Sequence, residues 1–396
     1  MTTKVLIFFF FLLSGFARVS YTKIYGIQLF VIIAIVYIVY KRIFNNTRVI
    51  KLGNYEVGAL EYKKFILWSI PALGIGLYYN QTDALYFYAY TVIPYILYQY
   101  TKNVNYNFNK CLLFAEISVL IVISLGWAIF WGLLPINFLF NEVTEAEYEL
   151  GYWGISYLES SRNHDYMYPL LCAAISIYLF KNSTSIIKKG AQLIIFGICE
   201  ITLLASLARG GMIASIIYFI MMVKGLSKKE RTVFFSCLFV LTILFGGIVK
   251  DRMGSIFENI FLSIFGLTKT NQYGGGFSND IRKKIYEDAI IAGLLNPIGY
   301  GIQNFGITSK YGGGSAENAY LTVLVERGWF ACVFFVSFLW KKGQQAVHSE
   351  LRQKSLNYYL LPAIATYFLF NYEFTSYMCV FIFYLILVSN IKTQNV

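Results

Sequence analysis

Arg209 stands inside an apolar run, ITLLASLARGGMIASIIYFIMM, that extends from Ile201 to Met222. A guanidinium stays protonated in any protein setting. Held at mid-bilayer, such a cation costs roughly 2.5–3.5 kcal/mol on insertion scales, so its presence calls for a reason. Arg282 lies in a polar segment, FSNDIRKKIYEDAIIAGLLNPIGYG, and its neighbours have local partners. Lys283 has Glu287 four residues on and Lys284 has Asp288, whereas Arg282 has Tyr286 at that spacing. A fork of donors with no nearby carboxylate suits phosphate oxygens. The plain alternative is a solvated arginine snorkelling beside the membrane.

Other chemistry-bearing groups are few. The only histidines are His164 and His348, and no Asp-x-Asp pair occurs. Glu145, Glu147 and Glu149 alternate in a segment that reads as a solvated acidic loop. Cys111, Cys172, Cys199, Cys237, Cys332 and Cys379 are scattered, mostly within apolar runs, and read as small core residues. No metal and no cofactor is expected.

The elements that must position the arginines are membrane helices. The 396-residue chain is 57% hydrophobic and 14% charged, against about 45–50% and 25% in soluble domains. About twelve apolar runs long enough to span recur, at roughly 4–20, 24–40, 64–80, 84–101, 111–134, 166–181, 190–207, 210–223, 233–249, 316–340, 356–371 and 374–391. The first of them has the alternative of a signal peptide, which leaves the parity of the later spans unchanged. The predicted fold is all-α, a polytopic integral membrane protein forming one membrane domain over 1–396.

A net charge of +12 would suit nucleic acid, yet the lysines and arginines cluster in short loops between apolar runs. That pattern marks topology. With the N-terminus inside, the clusters Lys41–Lys64, Lys102–Lys110, Lys181–Lys189, Lys224–Arg231 and Lys341–Lys354 all fall on one side. Both termini are then cytoplasmic, the partner is the lipid bilayer, and no nucleic acid is expected.

Two extracytoplasmic segments exceed a turn, at 135–165 and 250–315, and loops of that length are usually functional. The larger holds YGGG twice, at Tyr273–Gly276 and Tyr311–Gly314, and both read as glycine hinges. Between them an amphipathic helix is predicted, capped by Ser278 or Asn279 and stopped by Asn296-Pro297. Its apolar stripe is Ile281, Ile285, Ala289 and Ala292.

Several features in this order look familiar: ARGG (from Ala208) opening a span, IRKKIYEDAIIAGLLNPIGYGIQNF in the large loop, and ENAYLTVLVERGW (from Glu317) entering the next span. Together with the span count, they resemble the O-antigen polymerase and ligase superfamily, most closely over residues 195–340. The resemblance implies glycosyl transfer at the outer face of a bacterial inner membrane, on oligosaccharides linked to undecaprenyl diphosphate. Family ligases carry a histidine before the asparagine where this chain has Glu317-Asn318. That departure is similar to the polymerases, which join repeat units into O-antigen, capsular or exopolysaccharide chains. A flippase and a chain-length regulator are the implied protein partners. A lipid-linked oligosaccharide flippase and a ligase stay open as alternative activities.

Within that resemblance Arg209 and Arg282 are the expected diphosphate clamp, doing without a metal what preorganised cations do for a developing anion. Glu317 is the expected general base, with pairing to an arginine or capping a helix as alternatives. His164 is the rival base or half of an interface pair with Asp165, and Arg162 is a third cation or a span anchor. Asn318, Tyr286 and Tyr311 are expected to contact substrate, and Tyr300 is a further ring that could pack on a sugar. Glu326 and Arg327 fall mid-span and are read as structural partners across the bundle.

Overall fold

A computed structural model of the chain describes residues 3–16, 57–79, 83–102, 104–135, 166–205, 209–236, 239–240, 243, 275–307, 318–348, 355–370 and 377–393. Among the described residues the regular structure is helical and no strand occurs. The helices are α1 (Thr3–Leu13), α2 (Ala59–Trp68), α3 (Ile70–Tyr78), α4 (Asp83–Thr101), α5 (Phe108–Phe130) and α6 (Met167–Asn182). They continue with α7 (Ile186–Ala205), α8 (Arg209–Gly225), α9 (Gly275–Leu295), α10 (Ala319–His348), α11 (Leu356–Phe370) and α12 (Tyr377–Thr393). Residues 228–236 are also helical. Predicted span 24–40 lies outside the described residues, as do 136–165 of the first long loop and 250–274 and 308–315 of the second.

Helix α6 is apolar all round and buried from Met167 to Tyr178, the pattern of a central helix. Helices α5, α7, α8 and α11 pack around it, while α12, buried from Met378 to Ser389, packs on α4 and α11. The outward faces are apolar too. Leu113, Ile117 and Ile121 on α5 form an exposed stripe at helical spacing, and so do Ile213, Ile216 and Ile220 on α8. Contiguous exposed apolar stripes are costly in water and ordinary against lipid. The chain is a helical membrane protein. Helices α5 and α10 are those among the described residues long and apolar enough to cross a bilayer.

Buried polar groups tie neighbouring helices together. Gln192 Nε2 donates to Glu116 Oε2 at 2.8 Å, Ser176 Oγ donates to Gln192 O at 2.7 Å, and Trp127 Nε1 donates to Thr202 Oγ1 at 3.0 Å. Ser215 donates to Glu200 between α7 and α8. Each such bond contributes about 0.6 kcal/mol on average in membrane bundles. The described cysteines are free; Cys111, Cys172, Cys199 and Cys379 are buried and Cys332 half-buried.

An ion pair joins α7 to the helical stretch at 228–236. Lys189 Nζ donates to Glu230 Oε1 at 2.8 Å, and the Ser227 N–H donates to Glu230 Oε2 at 2.9 Å. The lysine first, then the backbone N–H, hold the Glu230 carboxyl at about 2, below its usual 4.5. A depressed carboxylate stabilises the fold above pH 4.5, and that contribution fades as pH falls from 4.5 towards 2. The side chains are 32% and 28% exposed, so solvent keeps the effect below about 1 kcal/mol. Glu230→Gln is expected to flatten the decline of Tm across that window; an unchanged decline would assign the acid sensitivity to other groups.

Three expectations need correction. The run predicted as one span over 64–80 is two helices, α2 and α3, because Pro71 has no N–H to continue the ladder. At the break the Ser69 hydroxyl donates back to Phe65 O at 2.8 Å. Next, Gly275 and Gly276, predicted as part of a hinge, are the first residues of α9, which places Ser278 and Asn279 inside the helix instead of capping it. Its predicted stop at Asn296-Pro297 and the burial of Ile285, Ala289 and Ala292 agree with the sequence reading. The third correction is the largest: the predicted span 316–340 doubles back on itself.

Helix α10 contains Gly328 at φ 80° and ψ −179°, which no helix accommodates. In a straight helix Tyr320 and Phe335 would be about 22 Å apart along the axis. Their rings are instead 5.9 Å apart, and Cys332 Sγ lies 3.7 Å from Tyr320 O. The limb 319–327 therefore folds back along the limb 329–348. Only the second limb, about 30 Å long at 1.5 Å per residue, has the reach to cross a bilayer.

Candidate functional site

The turn of this hairpin is held by the segment after α9, residues 296–305, which acts as a strap. Where α10 breaks, its carbonyls lose their helical donors, and the strap supplies replacements. Tyr300 N donates to Val325 O at 2.9 Å and Gly301 N to Glu326 O at 3.0 Å, while Trp329 N donates to Pro297 O at 3.0 Å. The Trp329 indole N–H donates to Gly293 O at 2.6 Å, fastening the second limb to α9. Backbone groups stranded in a membrane protein must find such partners.

On its other side the strap docks on α3. Ile302 N donates to Ala72 O at 3.1 Å. Gly301, at φ 100°, meets α3 at Gly76: a Cβ on Gly301 would lie 2.7 Å from Gly76 N. The two backbones touch because neither residue has a side chain. Between α3 and the strap an open cleft of about 600 Å³ remains, lined by Pro71, Tyr78, Tyr79, Asn296, Gly299 and Tyr300 among others.

Arg327, the last residue before the turn, is 2% exposed. Its Nη1 donates to Ser69 Oγ at 3.3 Å and to Thr91 Oγ1 at 3.1 Å, and its Cζ lies 5.3 Å from the centroid of the Phe65 ring. It thus joins the hairpin turn to the α2–α3 break and to α4. A buried guanidinium needs that company, because its desolvation cost is several kcal/mol. At the opposite end of the first limb, Asn318 Oδ1 accepts from Leu321 N at 3.1 Å and Asn318 Nδ2 donates to Leu369 O at 3.1 Å on α11. Asn318 is therefore both the cap of α10 and its tie to α11.

Of the sequence-predicted site residues, Asn318 and Tyr286 are on the unit formed by α9, the strap and α10. Tyr286 is half-buried against the small cluster of Ile285, Ala289, Phe305 and Val325. Arg282 belongs to α9, which packs on α10, and Arg209 is the first residue of α8, which packs on α11. The side chains of both arginines lie outside the description, as do residues Arg162, His164, Tyr311 and Glu317 altogether. Lys283 Nζ and Glu287 Oε1 are 4.0 Å apart, as the spacing predicted. Among the described residues no group of three or more His, Cys, Asp or Glu gathers as a metal site.

Sequence reading missed Ser69, Thr91, Tyr78 and Tyr79 at this site, and gave Arg327 only a general structural role. One local signal was present: SIP in WSIPALGIGLYYN announces a broken helix ending in a tyrosine pair.

Residues 193–336 match the model of the O-antigen ligase family. That match places the segment in the O-antigen polymerase/ligase superfamily. It runs from α7 into the second limb of α10 and so includes Arg209, Arg282, the strap, Glu317-Asn318 and Gly328. Family members are glycosyl-transfer enzymes associated with membranes. No curated protein matches the chain.

Proposed function

We propose that this superfamily member polymerises oligosaccharide repeat units carried on undecaprenyl diphosphate, at the periplasmic face of the inner membrane. The product is O-antigen or a related surface polysaccharide. The observation that carries the reading is the matched segment itself, within which two arginines open or occupy helices flanking the α10–α11 pair.

In the proposed step an acceptor hydroxyl oxygen bonds to the anomeric carbon of the donor sugar. The bond from that carbon to the diphosphate oxygen breaks, and its electron pair leaves with the lipid diphosphate. Glu317 takes the hydroxyl proton. Arg209 and Arg282 neutralise the departing diphosphate, with Arg162 as a further cation and His164 as the rival base. Tyr286, Tyr311 and Asn318 border the sugar in this reading. The basic loops support cytoplasmic termini, and a flippase and a chain-length regulator are the proposed partners.

A ligase is the second reading, favoured by the description of the matching family. Glu317 in place of the ligase histidine supports the polymerase. Deleting the gene and separating the surface polysaccharide by gel electrophoresis distinguishes them. A polymerase deletion is expected to leave one repeat on the lipid anchor. Loss of every repeat, with lipid-linked polymer accumulating, would make the protein a ligase; unpolymerised units trapped inside would make it a flippase.

A further inference from the structure

We propose that the cleft between α3 and the strap is a saccharide subsite, in which Tyr78 and Tyr79 stack on sugar rings and Asn296 and Tyr300 complete the opposite wall. This rests on the reading above only in that the protein handles oligosaccharides. The cleft's volume, about 600 Å³, is within the range of small-molecule sites, about 300–1,000 Å³.

Its walls have the chemistry of carbohydrate recognition. Tyr78 is 81% exposed and Tyr79 54% exposed, large areas of aromatic surface for a folded protein. Their ring centroids are 5.4 Å apart with planes at 80°, so the two rings present surfaces in different directions. A pyranose has an apolar C–H face and a polar rim of hydroxyls; aromatic faces take the first and amides take the second. Asn296 is already oriented by the strap, its Nδ2 donating to Gly299 O at 3.1 Å and its Oδ1 accepting from Ile298 N at 3.3 Å. Each end of that amide retains capacity for one more bond.

The cleft is also preformed. The backbones of its walls are joined by the Ile302–Ala72 hydrogen bond and the Gly76–Gly301 contact, so the ordering cost of binding is confined to side chains. Interfacial tyrosines are common in membrane proteins, but a belt residue needs only to face the headgroups. Here two such rings share a concavity with residues from a segment more than two hundred positions away. The strap that forms the second wall also holds the turn of α10, whose first limb begins beside Glu317-Asn318.

The test uses the full-length protein in nanodiscs. The probe is the oligosaccharide repeat released by mild acid from the producing cell's own surface polysaccharide, free of lipid. Saturation-transfer difference NMR should show saturation of its ring protons. Tyr78→Ala/Tyr79→Ala should weaken binding about tenfold, and Tyr78→Phe/Tyr79→Phe should retain it, because stacking needs the ring and not the hydroxyl. If the double alanine variant does not purify as a single species, Tyr78→Ala alone reads the same loss.

Equal binding by the alanine and wild-type proteins, or no saturation with the wild type, would overturn the subsite and return the two rings to an interfacial role. The gene-deletion phenotype reports separately on the activity. A ligase phenotype with ring-dependent binding sinks the polymerase and keeps the subsite; a polymerase phenotype with ring-independent binding does the reverse.

Discussion

Arg209→Ala and Arg282→Ala, each supplied to a cell whose own copy is deleted, are expected to leave single-repeat product with no ladder, at wild-type membrane levels. The leaving group of the proposed step is a diphosphate, and nothing else in the predicted site brings positive charge from two separate helices. Removing one preorganised donor to a developing anion typically costs about 10²–10³ in turnover, enough to erase extended chains from a gel. Arg209 has an added advantage of position. As the first residue of α8 it sits where unsatisfied N–H groups and the helix dipole favour an anion.

Lysine at either position should recover part of the ladder, because it keeps the charge and loses the planar fork. Recovery equal to wild type would show that charge alone is needed. A wild-type ladder from either alanine variant would remove that residue from the site.

Gly328→Ala is expected to be the most damaging single substitution for the fold. The residue has φ 80° and ψ −179°, a region essentially reserved for glycine and costing about 1–3 kcal/mol for other residues. The added methyl would also overlap the Pro297 carbonyl oxygen and approach Ile298 C to 2.5 Å. Both are backbone atoms of the strap and cannot rotate away, so an overpacking cost of about 1–3 kcal/mol adds to the first. Together these separate the hairpin turn from Pro297 and strand the carbonyls of Val325 and Glu326. Thermal melting in detergent, followed by size-exclusion fluorescence, should show a Tm lowered by several degrees or loss of the monodisperse peak. A wild-type melting curve would mean that the turn is not the fixed point described above.

The two predictions probe different levels. Loss of Arg209 should spare melting and remove product, whereas loss of Gly328 should remove both. A variant of Arg209 that melts early would class that arginine with Arg327, a residue held for architecture.

Hydropathy and spacing made a large part of the fold legible. Among the described residues the apolar runs fall in helices, two of them broken, because a membrane helix is decided locally, by side chains that match lipid over about twenty positions. The large-loop helix could be read from the Asn296-Pro297 stop and from a stripe that places Ile285, Ala289 and Ala292 inward. Lys283 and Glu287 meet for the same local reason. The break after Ser69 was legible in Pro71, yet hydropathy averages over it, since both halves are apolar.

By itself, then, the sequence determined a helical membrane protein with basic loops and an amphipathic helix in its large loop. Only the tertiary structure decided that α10 turns back at Gly328, that the strap closes the break, and that Tyr78 and Tyr79 line one cleft with Tyr300. Arg327 meets Ser69 and Thr91 across 258 and 236 positions, distances over which periodicity carries no information. A glycine in an apolar run reads as a tolerated interruption. It became a reversal here because the N–H groups of Tyr300 and Gly301 reach the carbonyls that the turn exposes and the Pro297 carbonyl accepts from Trp329 N, and hydrogen bonds between remote segments leave no local trace.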